Sequence, residues 1–337
     1  MSIFISIASY QDPLLSSTIK SACNNAANEA ELVFGICDQS STPIEINSFS
    51  GQAIIHYDHV EPILSKGPCW ARHRLQSFYQ GEDYFLQIDS HTQFEKDWDL
   101  ALINQLNSIK GLSDDAYFSK PIITSYPRGF EVINLENEEF KLDSIDDLVY
   151  SIAYRKDSMF MRDLFSRQIG RPLKTNQPVH GYLLAAGCLF ADGCFVKEVP
   201  YDPNYYFYGE EISMMLRAFT KGFSIFHTPN IPIFHLYNND PETSGRQLHW
   251  NPDEDRNRIT KWHELEKQSI QRLTDLIEGN LEEFWSLGKV STLDDYTNTR
   301  HRIDDETEKL PDDYETRRSY LRKEWKKAVV ASHEKYS

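Results

Sequence analysis

Short apolar runs recur through the first third of the chain, separated by stretches in which apolar residues return every three or four positions. Ile3 to Ala8, Leu32 to Cys37 and Ala53 to Tyr57 read as strands, and Tyr84 to Ile88, apolar but for Gln87, reads as a buried one. Leu14 to Asn28, Pro68 to Tyr79 and Trp98 to Ile109 read as helices, with Pro68 suited to a first helical turn. Alternating strands and helices make βαβ units. The pattern therefore predicts an α/β protein with a mainly parallel, Rossmann-like sheet and helices on both faces.

Lys120 to Thr124 adds a strand, but from Ser113 to Gln177 the pattern weakens and acids crowd between Glu131 and Asp147. Such an insertion is expected to form loops and small elements over the site. Order returns at Tyr182 to Phe190, with a helix from Gly209 to Lys221 and short strands at Ser224 to His227 and Ile231 to Leu236. After a polar loop from Asn238 to Arg246 the chain turns charged and helical, notably over Ile259 to Leu287 and Tyr314 to Ala331. The last helix carries Arg317, Arg318, Arg322, Lys323, Lys326 and Lys327, read as a solvated amphipathic face. The expected organisation is a domain over 1–250, with 113–177 as its insertion, and a helical extension over 251–337.

Composition narrows the partners. A net charge of −16 speaks against non-specific binding to nucleic acid or an anionic membrane. An aromatic share of 13% is enough for a core and leaves aromatics to line a carbohydrate-facing cleft. No apolar segment approaches membrane-spanning length, and the first residues lack a basic leader. The five cysteines are scattered without paired metal-ligand spacing, as expected of free thiols in the cytoplasm.

Candidate chemistry lies at the strand ends. Ligands of parallel sheets bind at the carboxyl ends of strands, where Asp89-Ser90-His91 emerges. One hard oxygen and one imidazole suit Mn²⁺ or a similar divalent ion better than a thiol-rich zinc site would. A polar turn closing a strand would have the same composition. His235 ends a late strand and is a candidate third ligand. At the end of the first strand, Ala8, Ser9 and Tyr10 offer backbone and hydroxyl groups to a base or ribose, although a strand-to-helix turn capped by Ser9 or Asp12 would account for the same stretch, and Asp38 offers a carboxylate at the end of the second. Gly67-Pro68 opens a helix whose Arg72 can aim a guanidinium at phosphate, whereas Arg74 points elsewhere and pairs with an acid. Glu210 and Glu211 begin a helix after an aromatic run, where either capping or contact with a sugar would account for them.

Together these segments resemble the GlcNAc-transferase family of cytoplasmic enzymes that glycosylate hydroxyproline, glycosyltransferase family 60. The resemblance runs in order through Ser6 to Asp12, Gly67 to Arg72, Gln87 to Trp98, Ala185 to Pro203, Tyr208 to Gly222 and Phe234 to Tyr237, and ends in Leu287 to Tyr296. It implies a GT-A fold, a UDP-GlcNAc donor, a divalent cation (Mn²⁺, or Mg²⁺) and retention at the anomeric carbon. Carried over residue by residue, Asp89, His91 and His235 match the metal ligands. Arg72 matches the diphosphate arginine, Glu210 and Glu211 the catalytic acids, and Ser90 and Gly187 lie in matched stretches beside the donor. Gln11 and Val290-Ser291 stand where the family has basic residues, which removes two candidate phosphate contacts. The acceptor, a hydroxyl on protein or glycan, has no matched motif. A transferase of another UDP-hexose for a surface polysaccharide, and a non-catalytic sugar-nucleotide or glycan-binding protein, remain the alternatives.

Overall fold

The computed structural model describes residues 1–307 apart from 28, 29, 50, 145, 155–167 and 241–243. The basic helix expected at Tyr314 to Ala331 lies outside the described residues. In chain order the elements are β1 (Ser2–Tyr10), α1 (Leu15–Asn25), β2 (Glu31–Gln39), β3 (Ile54–His59), α2 (Pro68–Gln76), β4 (Tyr84–Asp89), β5 (Thr92–Phe94) and α3 (Trp98–Lys110). Five strands follow across the insertion, β6 (Pro121–Thr124), β7 (Arg128–Asn134), β8 (Glu139–Leu142), β9 (Leu148–Tyr154) and β10 (Gln168–Lys174). Then come β11 (Val179–Gly181), β12 (Cys188–Asp192), α4 (Phe195–Glu198), α5 (Glu210–Thr220), β13 (Ser224–His227) and β14 (Ile233–His235). Helices at Trp262–Glu278 and Leu293–Thr307 close the described chain.

The main sheet has eight strands in the order β11-β13-β6-β12-β4-β1-β2-β3. β1 pairs in parallel with β2 and with β4, so the chain steps out in both directions from β1. The switch point lies between β1 and β4, where Ala8 stands level with Asp89. β12 runs antiparallel between β4 and β6, and β11 antiparallel on β13, so the parallel character is interrupted on one side only. A second sheet, β5-β14-β7-β8, sits beside the switch point, and β9 pairs antiparallel with β10.

Both faces of the sheet are covered, which is why its strands read as unbroken apolar runs. Ile3, Ile5 and Ile7 alternate with Phe4: the isoleucines pack with Trp98, Leu102 and Leu106 of α3, and Phe4 shares a core with Met214, Met215 and Ala218 of α5. Leu273, Leu276, Tyr296 and Ile303 of the two last helices belong to that second core. The helix over Leu293–Thr307 was not foreseen from the hydrophobic pattern. Its start nonetheless carries a local signal, since Thr292 and Asp295 exchange backbone-to-side-chain hydrogen bonds of 2.8 and 3.1 Å as a capping box does. Among the described residues no helix is long and apolar enough to cross a membrane.

Gly67 fixes how α2 enters the site. Its φ of 98° lies in the left-handed region, and a Cβ there would come within 2.6 Å of the Tyr206 ring. Gly67→Ala should therefore cost about 1–3 kcal/mol in urea unfolding; an unchanged midpoint would mean that the turn relaxes freely.

Candidate active site

Asp89 ends β4, and the chain turns through Ser90 and His91 into β5. β5 pairs with β14 so that Thr92 faces His235, and the Leu236 N–H donates to the His91 carbonyl at 3.1 Å. This short ladder brings two histidines 144 residues apart to a ring separation of 4.7 Å. Asp89 Oδ2 lies 3.1 Å from His235 Nε2 and 4.0 Å from His91 Nε2. One ligand atom from each of the three residues falls within 4.8 Å of the others.

The surroundings fit a divalent cation. Asp12 Oδ2 lies 2.7 Å from His91 Nδ1, which leaves Nε2 turned toward Asp89, the arrangement by which carboxylates orient metal-ligating histidines. His235 Nδ1 is buried with no hydrogen-bond partner. A Cβ on Gly187 would lie 2.8 Å from Asp89 Oδ2, so only glycine leaves that oxygen clear. Desolvation works against the charge of Asp89, but the His235 hydrogen bond and Arg72 hold its carboxyl well below the usual range. Desolvation pushes His235 down, toward the neutral form that a metal requires. One oxygen and two imidazoles suit a Mn²⁺-type ion.

Arg72 is 2% exposed and stands between two acids. Its Nη2 donates to Asp89 Oδ1 at 2.9 Å, and its Nη1 pairs with Glu210 Oε1, which also accepts from the Tyr201 hydroxyl at 2.9 Å. Burial opposes the guanidinium charge, but Glu210 above all holds the pKa of Arg72 up. Both terminal nitrogens expected to face a diphosphate thus already meet carboxylates. Arg74 pairs with Asp58, its Nε at 2.6 Å, on the other side of the helix. Glu211 Oε1 accepts from the Ala186 N–H at 2.9 Å and Oε2 from Gln168 Nε2 at 3.1 Å. Desolvation raises its pKa to about 7.

A cleft of about 450 Å³ joins these groups. Arg72, Asp89, Gly187, Glu210, Glu211 and His235 line it, with Tyr126, Phe207, Tyr208 and Tyr237 as its aromatic wall. Ala8, Ser9, Tyr10, Asp38 and Ser90 are not part of this lining. Ser9 Oγ is buried without a partner. Tyr10 donates to Glu254 Oε2 at 2.5 Å and accepts from Arg258, tying the end of β1 to the segment after the second sheet. Asp38 Oδ2 accepts from the Tyr57 hydroxyl at 2.5 Å, and Ser90 Oγ donates to Asp12 at 2.8 Å.

Several contributors escaped the sequence reading. Asp12 was weighed only as a helix cap; Oδ1 does accept from the Leu14 N–H at 3.0 Å, while Oδ2 serves His91. Arg246 lies 3.4 Å from that same Oδ2 and comes from a loop with no pattern of its own. Gln168 and Tyr201 gave no signal, because neither stands in a recognisable motif; they act through Glu211 and Glu210, 43 and 9 residues further on. The closing motif packs against the end of α5, where the Gly288 N–H donates to Thr220 Oγ1 at 2.7 Å.

A doubly wound sheet with an acid and two histidines at its switch point defines an α/β protein whose candidate site lies at the strand ends. The family model described as Glycosyltransferase (GlcNAc) matches residues 42–310, and the chain belongs to this glycosyltransferase family. Among solved structures it is similar to GalNAc-T7 with UDP, GalNAc and Mn²⁺, at 14% identity over 89% of this chain and a TM-score of 0.50. The match covers 54% of that protein, so this chain spans about half its length. It also resembles S. aureus TarS 1-349, at 11% identity over 83% of this chain and 74% of that one, with a TM-score of 0.43. The same fragment in complex with UDP-GlcNAc gives 10% identity over 82% and 72%, with a TM-score of 0.43. No curated protein sequence matches. The architecture is the GT-A fold.

The Glu211 environment has a measurable consequence for stability. The folded protein keeps the Glu211 proton up to about 7, whereas an unperturbed glutamic acid releases it near 4.5. Its contribution is therefore complete below pH 4.5 and is lost as pH rises toward 7, by of order 3 kcal/mol at about 1.36 kcal/mol per unit. Glu211→Gln, which stays neutral, should match wild type near pH 4.5 and unfold at higher denaturant above pH 7. A gap that does not change with pH would contradict this environment.

Proposed function

We propose that this chain transfers GlcNAc from UDP-GlcNAc to a hydroxyl, with retention of anomeric configuration and with a divalent cation, Mn²⁺ before Mg²⁺. The observation that carries the reading is the convergence of Asp89, His91 and His235 at the β1/β4 switch point. In support, GalNAc-T7 binds UDP, GalNAc and Mn²⁺ on the same fold. A cation bound there supplies Lewis acidity to the diphosphate leaving group.

The chain's own residues hold the rest. Ala8, Ser9 and Tyr10 at the end of β1 and Asp38 at the end of β2 receive base and ribose, with the unpartnered Ser9 hydroxyl as one donor. Ser90 braces Asp12, and Gly187 keeps the face of Asp89 open to the diphosphate. Glu211 and Glu210 stand at the sugar and acceptor. Glu211, half protonated near neutrality, is suited to exchange hydrogen bonds with hydroxyls, while Glu210 anchors Arg72. Both carboxylates already have partners, which favours same-face attack over a covalent sugar–enzyme intermediate. Phe207 and Tyr208, about half exposed on the cleft wall, offer apolar faces to an acceptor on protein or glycan. A hydroxyproline acceptor rests on the sequence resemblance alone.

The catalytic unit is read as 1–250, with 113–177 on the acceptor side, and 251–337 as a helical extension whose Leu273, Leu276, Tyr296 and Ile303 join the second core. Five free cysteines suit the cytoplasm. Transfer of GalNAc, Gal or Glc instead is tested in the same assay. Release of UDP should be measured with each of the four UDP-sugars in Mn²⁺ and in EDTA. UDP-GlcNAc should be turned over in Mn²⁺ alone, and Asp89→Ala and His91→Ala should each lower kcat/KM by about a thousandfold or more. Undiminished turnover in EDTA would remove the metal reading, and a preference for another UDP-sugar would replace the donor.

A further inference from the structure

A carboxylate can offer a cation one oxygen or two, and the choice bears on which cation is bound. Mn²⁺ and Mg²⁺ suit compact six-coordinate sites, whereas Ca²⁺ takes six to eight oxygens and readily accepts two from one carboxylate. At Asp89 the two oxygens have different surroundings. Oδ2 faces His235 and His91, under the space that Gly187 leaves open. Oδ1 is held 2.9 Å from Arg72 Nη2.

Arg72 is itself fixed from behind. Its other terminal nitrogen pairs with Glu210 Oε1, which the Tyr201 hydroxyl also binds, and the side chain is enclosed. The guanidinium therefore forms a rigid link from α5 to the end of β4, a geometry that a fork-shaped donor can satisfy and a single ammonium cannot. We propose that Arg72 is a positioning residue of the cation site: by occupying Oδ1 it makes Asp89 a one-oxygen ligand and selects Mn²⁺-type ions against Ca²⁺. This rests on the reading of Asp89, His91 and His235 as the metal site, and it gives Arg72 work other than gripping the diphosphate.

The test measures binding by the full chain. Mn²⁺ affinity is read from the free-Mn²⁺ electron paramagnetic resonance signal, Ca²⁺ by competition, and UDP affinity by calorimetry in EDTA. Two variants are compared with wild type: Arg72→Lys, which keeps the charge, and Arg72→Met combined with Glu210→Gln, which removes one charge of each sign and so limits unpaired buried charge. Losing a group that holds a metal ligand in place typically weakens metal binding 10–100-fold. The double variant should show a loss of that size for Mn²⁺, with Ca²⁺ competing at least tenfold better and UDP affinity in EDTA unchanged; Arg72→Lys should fall between. Mn²⁺ affinity and the Mn²⁺/Ca²⁺ ratio within twofold of wild type in either variant, with a normal melting curve, would overturn the proposal. So would unchanged Mn²⁺ binding with weakened UDP binding in EDTA, which would make Arg72 a diphosphate contact. A wild-type protein that binds no Mn²⁺ would instead defeat the metal site itself.

Discussion

The site depends on keeping one carboxylate ionised at the floor of a cleft. Asp89 is partly withdrawn from water, and Arg72, His235 and His91 surround it with donors and positive charge. Each partner needs support of its own. Glu210 and Tyr201 hold Arg72, Asp12 orients His91, and the β5/β14 ladder fixes His235. Removing one member of such a network leaves another buried polar group without its partner, a loss larger than that of one hydrogen bond in water. The network is therefore as much a feature of the fold as of the chemistry.

The topology explains why the network forms there. β1 is the pivot of the sheet, and residues just beyond its end and that of β4 meet where the connections part to opposite sides. Asp12 follows β1, Asp89 ends β4, and α5 brings Glu210 to the same edge from the far face of the sheet. The antiparallel entry of β12 next to β4 places Gly187 beside the Asp89 carboxylate. Sheet and helices thus contribute positions, and the short second sheet contributes the last histidine.

Much of this was legible in the chain. Apolar runs at Ile3, Leu32 and Tyr84 located the central strands, because a strand covered on both faces has no polar alternation to confuse it. The abrupt ending of β4 in Asp89 and His91, and the histidine closing β14, revealed the triad. Pairings across long separations were not legible. Arg72 and Glu210 are 138 residues apart, so local pattern assigned each a solitary role, phosphate contact for one and helix start or sugar contact for the other. Asp12 had a sufficient local explanation as a cap, which concealed its second oxygen. In the insertion, β9 and β10 pair antiparallel and bury Val149, Ile152 and Leu173; β9 is itself an apolar run, hidden behind the acids that precede it, and β10 is interrupted by Gly170, Arg171 and Pro172.

Anomalous diffraction at the manganese edge, from crystals grown with Mn²⁺ and UDP, tests the central claim most directly. A single strong peak is expected between Asp89 Oδ2 and the His91 and His235 imidazoles, about 2.0–2.6 Å from each ligand atom. UDP bound with no manganese at these three side chains, or manganese bound elsewhere in the cleft, would contradict it.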